Sequence, residues 1–217
     1  VRAPESSDSD FSWQDFLDRN NNELVGTWGN LAHRMLTFAY RNFEGQVPSP
    51  RDLTEADQGM IDAAEAAFVA VGAEIEACRF RSAIAQAMAV ARQANGYLDA
   101  AAPWKWLKTE RGRAATATYV ALRVIDSLKM LFAPFLPYSS QALHEALGYE
   151  SDLFGRQETV ELQEKGRKHL ALVYSYDWEG DIWAPSQLRP GQVLRPPKPL
   201  FRKLDPEIVQ QELARLG

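Results

Sequence analysis

Asn95-Gly96-Tyr97-Leu98-Asp99-Ala100-Ala101-Ala102-Pro103-Trp104-Lys105-Trp106-Leu107-Lys108 decides how this 217-residue chain is laid out. The stretch is the end of a helix that runs into a Pro-Trp corner. Proline has no N–H, and its ring clashes with the preceding turn. Ala102, just before it, is pushed out of the α region as well. The chain must therefore turn at Pro103 and present an indole beside Lys105 and Lys108. Two states of that corner are open. Trp104 packs in the core and the lysines are solvated, which is what most helix-end tryptophans do and what the pattern alone favours. Alternatively, the indole face stacks on an unpaired base while the lysines hold its phosphate.

Working outward, the stretch closes a helix with Ile84, Met88, Ala91, Asn95 and Leu98 on one face. Asn95 is an amide on an apolar stripe and must find partners there. It is placed to hold the backbone of the Pro-Trp corner. Before this helix, Thr54 caps another, with Asp57 three residues on in a capping-box position. That helix carries Ile61, Ala64, Phe68, Val71, Ile75 and Cys78 as a stripe, which marks Cys78 as a buried, inert thiol. The first helix is expected from about Ser12 to Phe43, with Leu17, Leu24, Trp28, Leu31, Met35 and Ala39 inward. Its Asn20-Asn21-Asn22 run and Gly26 are poor helix formers, so packing must hold it. Asn30 and Arg34 lie four apart and project together, as a solvated helix face or as amide and guanidinium donors for a ligand.

Downstream of the corner, a helix from about Arg113 to Pro134 carries Ala117, Ala121, Val124, Leu128 and Leu131 inward. The corner Phe132-Ala133-Pro134-Phe135-Leu136-Pro137 leads to a short helix from Tyr138 to Leu147 that stops at Gly148. Helices joined by such short corners predict an all-α, antiparallel bundle over residues 12–148. Residues 1–11 are a polar connector. Residues 149–217 form an irregular Pro/Gly-rich arm and a terminal helix that packs back on the bundle. Within the arm, Leu170 to Tyr174 suits one short strand and Asp177 to Asp181 a turn. Asp205-Pro206 starts the terminal helix, which docks through Ile208, Val209, Leu213 and Leu216.

Composition narrows the function. With 46% hydrophobic residues, one substantial core is available. A net charge of -5 and a pI near 5.3 argue against broad, charge-driven nucleic-acid binding, though not against local reading of a few bases. Cys78 is the single cysteine, so an internal disulfide and a cysteine-built zinc site are excluded. No stretch is long and apolar enough to span a membrane, and the polar N-terminus has no signal-peptide core. A cytoplasmic monomer is expected, and a start other than methionine suits a piece of a longer chain. His33, His144 and His169 are scattered without metal-ligand spacing. The acidic residues Asp8, Asp10 and Asp15 suit a solvated helix cap rather than a metal site. No phosphate loop and no nucleophile motif is present. The residues thus describe a helical binding module or an accessory domain and make no case for catalysis.

Several segments together resemble one family. Asn21, Glu23-Leu24 and Trp28-Gly29-Asn30-Leu31-Ala32-His33-Arg34 resemble the first helix of the anticodon-binding domain of methionyl-tRNA synthetases. Tyr97-Leu98-Asp99 and Ala102-Pro103-Trp104-Lys105 resemble its base-stacking corner. Leu131 to Pro137, with Gln141 and Leu147-Gly148, is similar to the class I corner that follows. Trp183-Ala184-Pro185-Ser186, Pro190-Gly191 and Pro199 to Asp205 are similar to the segment that returns toward the catalytic domain, and Val1 to Trp13 to the segment that leaves it. The likeness covers nearly the whole chain.

The resemblance implies roles residue by residue. Asn30 and Arg34 match the pair that reads anticodon bases. Trp104 matches the tryptophan on which the first base, a cytosine, stacks. Asn95, Asp99 and Pro103 match neighbours that shape the pocket, while Lys105 and Lys108 are placed for phosphate contacts. The implied partners are the anticodon loop of a methionine tRNA and a catalytic domain of the same chain. ATP and magnesium would serve that catalytic domain, and no cofactor or metal is expected here. The class I His-Ile-Gly-His and Lys-Met-Ser-Lys-Ser signatures are absent from the sequence, so these residues alone should not activate methionine. Two alternatives stand beside this: a helical scaffold module without RNA binding, and the matching domain of another class I synthetase.

Overall fold

A computed structural model of the chain describes residues 5, 10–175 and 183–215. Most of the connector, including Asp8, lies outside the described residues, as do the turn expected at Asp177–Asp181 and the helix end at Leu216.

Ser12 caps α1 (Trp13–Arg19), its hydroxyl accepting from the Asp15 N–H at 3.3 Å. The chain then passes without a break through a π-helical segment, Asn20–Gly29, into α2 (Asn30–Asn42). The poor helix formers expected to weaken this helix are the residues that widen it. The Thr27 hydroxyl donates to the Asn22 carbonyl five residues back, at 2.9 Å. Asn20 and Asn21 turn their amides outward to the C-terminal arm.

Thr54 and Asp57 form the expected capping box at the start of α3 (Glu55–Glu76). Cys78 departs from its expected place. Helix α3 ends at Glu76, so Cys78 falls in the turn beyond the apolar stripe, where it is exposed with φ 57°. Helix α4 (Phe80–Ala101), the single turn α5 (Pro103–Trp106) and α6 (Arg111–Phe132) follow. Helix α6 is buried on nearly every side from Ala114 to Phe132, the mark of a central helix. Around it α2, α3, α4 and α7 (Pro137–Ala146) close one core, in which Trp28 packs on Phe132 with ring centroids 4.9 Å apart.

The chain is mostly helical but not all-α. Strands β1 (Arg156–Glu164) and β2 (Arg167–Ser175) pair antiparallel, Arg156 opposite Ser175 and Glu164 opposite Arg167. Lys165 (φ 44°) and Gly166 (φ 84°) make the two-residue turn, both in the left-handed region, as the twist of a tight hairpin demands. Charged residues on both faces blur the alternation that would have revealed β1. Leu170 and Leu172 are exposed on β2.

From Trp183 onward the described part of the arm pairs with the bundle. The Trp183 indole donates to the Phe68 carbonyl at 3.0 Å. Val47 and Gly191–Gln192 exchange backbone bonds of 2.9 and 2.8 Å, and Leu194 donates to the Gly45 carbonyl at 2.7 Å. Helix α8 (Glu207–Arg215) contacts α1 but buries no residue fully. Leu213 was expected to dock and is instead 55% exposed.

Candidate nucleic-acid interface

Helix α4 ends where the sequence requires it. Ala102 takes the left-handed conformation, φ 41° and ψ 58°, and Pro103 opens α5 at the first helical position. Pro103 is buried, which anchors the corner, while Trp104 keeps 40% of its surface exposed. Trp106, two residues on, is fixed by an indole bond to the Ala101 carbonyl at 3.1 Å. The corner is thus a rigid turn with one ring held inward and another offered to solvent.

Arg34 comes to Trp104 from α2. Its guanidinium carbon sits 5.3 Å from the centre of the indole, and its Nη2 lies 3.8 Å from the Asp99 carboxylate. At that distance the carboxylate attracts without accepting a hydrogen bond. Nε and Nη2 of Arg34 are shielded from water and have no hydrogen-bond partner. Unpaired donors cost free energy, about 1–3 kcal/mol each. A rotation of the guanidinium toward an incoming acceptor would relieve that cost. Asn30, one turn before Arg34 on α2, is exposed.

Asn95 does a different job from the expected one. Its amide donates to Ala91 on its own helix at 3.0 Å and to the Thr27 carbonyl in the π-helical segment at 3.3 Å. It therefore ties α4 to the segment that leads into Asn30 and makes no bond to the Pro-Trp corner. The structure brings Arg34, Asp99 and Trp104 together, with Asn30 on the same helix face as Arg34 and Pro103 beneath. Lys105 and Lys108 are exposed on and just after α5. On the far side of the corner, burial and then the hydrogen bond to Asp57 raise the Tyr97 phenol well above its ordinary value.

Two supports of this surface were not legible in the sequence. Asn21 forms a reciprocal pair with Leu204, donating to its carbonyl and accepting from its N–H, each at 2.9 Å. Phe201 packs on Gly29 so closely that a Cβ there would lie 2.9 Å from its ring and 2.8 Å from the Leu24 carbonyl. Only glycine fits both the widened helix and the arm. A crevice of about 140 Å3 remains between Asn30, His33 and Phe201. Because these partners are more than 170 positions apart, no local pattern could have announced them.

Residues 47–169 match the family described as the anticodon binding domain of methionyl tRNA ligase. The chain belongs to that family. Residues 1–36 match a second one, the class I tRNA synthetases of methionine type. A methionine–tRNA ligase of Chloroflexus aggregans is 48% identical over 218 residues, covering 100% of this chain and 36% of that protein. One from Roseiflexus sp. is 48% identical over 217 residues with the same coverage. The chain therefore spans 36% of the length of these curated relatives. The apo form of Mycobacterium tuberculosis methionyl-tRNA synthetase superposes with a TM-score of 0.70 at 24% identity, over 90% of this chain and 35% of that one, a likeness of fold.

Proposed function

We propose that this chain recognises the anticodon of a methionine tRNA, CAU, as the accessory domain of a methionyl-tRNA synthetase. One observation carries this: a tryptophan on a buried proline corner keeps 40% of its surface exposed beside an arginine whose Nε and Nη2 have no hydrogen-bond partner. Cytosine presents an amino donor and two acceptors on its pairing edge. Arg34 and Asn30 would donate to the acceptors, Asp99 or a backbone carbonyl would accept a hydrogen bond from the amino group, and Trp104 would carry the ring. Uracil would leave at least one of these groups unpaired, at about 1–3 kcal/mol.

In the whole enzyme this domain would hold the tRNA so that its acceptor end reaches a catalytic part, where ATP-dependent attachment of methionine takes place. We read ATP and magnesium as belonging to that catalytic part, because the class I signatures are missing from the sequence. We further read residues 12–148 as an antiparallel bundle of the class I synthetase type, 1–11 as the connector and 149–217 as the returning arm. A cytoplasmic, monomeric enzyme goes with that assignment; among the described residues no helix is long and apolar enough to cross a membrane.

The test is a fluorescence titration of small anticodon hairpins into this chain. The expected result is saturable quenching by the cytosine-first hairpin, weaker for the uracil-first one, with the cytosine preference lost and binding weakened in Trp104→Ala. Equal binding of all hairpins would remove the recognition roles of Asn30, Arg34 and Trp104.

A further inference from the structure

Beside the Pro-Trp corner lies a second feature that no base-reading role uses. Arg51, Arg111 and Arg113 line a cleft of about 680 Å3 whose opposite wall includes Ala100 and Ala101, the last residues of α4 before the corner. The volume is that of a nucleotide-sized site. All three are exposed, and each has a contact that fixes its side chain or its backbone. Arg111 donates to the Asn42 carbonyl at 2.7 Å and lies over Phe43. Arg113 lies 4.4 Å from the centre of the Trp106 ring. Arg51 crosses the first turn of α6 so closely that a Cβ at Gly112 would come within 2.4 Å of its Nε, and its backbone N–H donates to the Thr116 hydroxyl at 2.8 Å. None of the three is ion-paired with a carboxylate among the described residues.

The acidic groups of the cleft define what it accepts. Asp57 is consumed by the Thr54 N–H and hydroxyl and by the Tyr97 hydroxyl. Asp52 and Glu110 are exposed on the rim and offset part of the positive field. A free anion therefore gains little here. A phosphate already tethered nearby arrives at high effective concentration and needs only the positioned donors. The geometry of α5 supplies the tether. Trp104 and Trp106 are two residues apart in this single turn, one under Arg34 and the other under Arg113. A strand that stacks a base on Trp104 and continues over α5, past the exposed Lys105, meets Arg113 and then the cleft.

We propose that this cleft is a second RNA contact, taking the sugar-phosphate backbone of the strand that leaves the Trp104 corner, with Arg113 and Arg51 donating to successive phosphates. The proposal rests on the anticodon reading of the Trp104 site, and its test separates the two. Cytosine-first and uracil-first hairpins are titrated into the wild-type chain, Arg51→Gln/Arg113→Gln, the matching Arg51→Lys/Arg113→Lys pair and Trp104→Ala across a salt series, with melting temperatures alongside. The glutamine pair is expected to weaken both hairpins by one common factor and keep their ratio. It should also flatten the slope of log K against log salt by roughly 0.7–0.9 for each phosphate lost. The lysine pair restores the slope, because charge and not packing carries it, and so it keeps the test decisive if the glutamine pair folds poorly. Trp104→Ala changes the ratio and leaves the slope. Inorganic phosphate alone is expected not to compete at millimolar concentration; if it does, the cleft is a free-anion site and the strand assignment falls. An unchanged slope in the glutamine pair overturns the cleft while a persisting cytosine preference keeps the anticodon reading. A wild-type chain that binds neither hairpin overturns both.

Discussion

Two clusters in this chain combine a cation, a carboxylate and an aromatic ring, and they end in opposite states. In the seam between α6, α7 and the arm, the Lys129 ammonium sits 2.6 Å from Asp126 and 4.4 Å from the centre of the Tyr149 ring. It also donates to His144 Nδ1 at 2.9 Å. The second Asp126 oxygen accepts from the Tyr149 and Ser186 hydroxyls at 2.8 and 2.6 Å. Every group has a partner, and Lys129 and Asp126 are 3% and 1% exposed. At the corner, Arg34 faces Trp104 at 5.3 Å and Asp99 at 3.8 Å, with donors left over. A satisfied cluster welds elements together, here the arm to the bundle. An unsatisfied one on a rigid support keeps donors that no group of the protein accepts. Residue types alone do not separate the two; saturation does.

The largest expected effect breaks the seam. Asp126→Ala leaves Lys129 buried without its counter-charge and should cost about 3–5 kcal/mol, read as a fall in the urea midpoint. Next, Trp104→Ala should weaken cytosine-hairpin binding by about 1–3 kcal/mol, with the melting temperature nearly unmoved because the ring is partly solvent-exposed. A large stability loss in that variant would make the corner structural, like the seam.

Acid sharpens the contrast further. Burial first, and then the neighbouring Lys129, lower the His144 pKa to about 4 from an ordinary 6.5. A group with a depressed folded-state pKa contributes its stability fully above the unfolded value. That contribution is lost as pH falls from 6.5 through about 4. The decline is bounded at about 1.4 kcal/mol per pH unit for a single proton. Urea melts across that window in wild type and His144→Gln should show it in the first and a flatter profile in the second. The smallest effect tests the support of the open cluster. Asn21→Asp keeps the shape but turns the donor toward Leu204 into an acceptor and should cost about 1 kcal/mol. Faster amide exchange over residues 20–29 is the expected signature, and unchanged exchange would mean that the arm does not hold the π-helical segment.

Legibility followed the range of the forces involved. The turn at Pro103 and the Thr54–Asp57 capping box are made by neighbours along the chain, and each was foreseeable from its residues; Ala102 was expected only to leave the α region, and its left-handed conformation was not foreseen. The apolar stripes of α3, α4 and α6 were equally plain, because burial imposes the helical period. The corner could be predicted as a feature; whether Trp104 faces solvent could not, since that depends on α2 passing close by. Asn95 was rightly marked as a bonded amide on an apolar stripe, but its partner, the Thr27 carbonyl, is 68 positions away. The π-helical segment was signalled only as poor helix propensity in Asn20 to Gly26. Why it widens lies with Phe201 on Gly29 and Leu204 on Asn21. The hairpin was half seen, because charge on both faces of β1 hid its alternation.

By itself, then, the sequence determined where helices start and stop, which faces go inward and which corner carries an indole, since sterics, capping and apolar period act within a few residues. Only the tertiary structure decided which polar groups find partners. It saturated Lys129 and left Arg34 open, because hydrogen bonds between distant segments depend on distances of tenths of an ångström that no local pattern encodes.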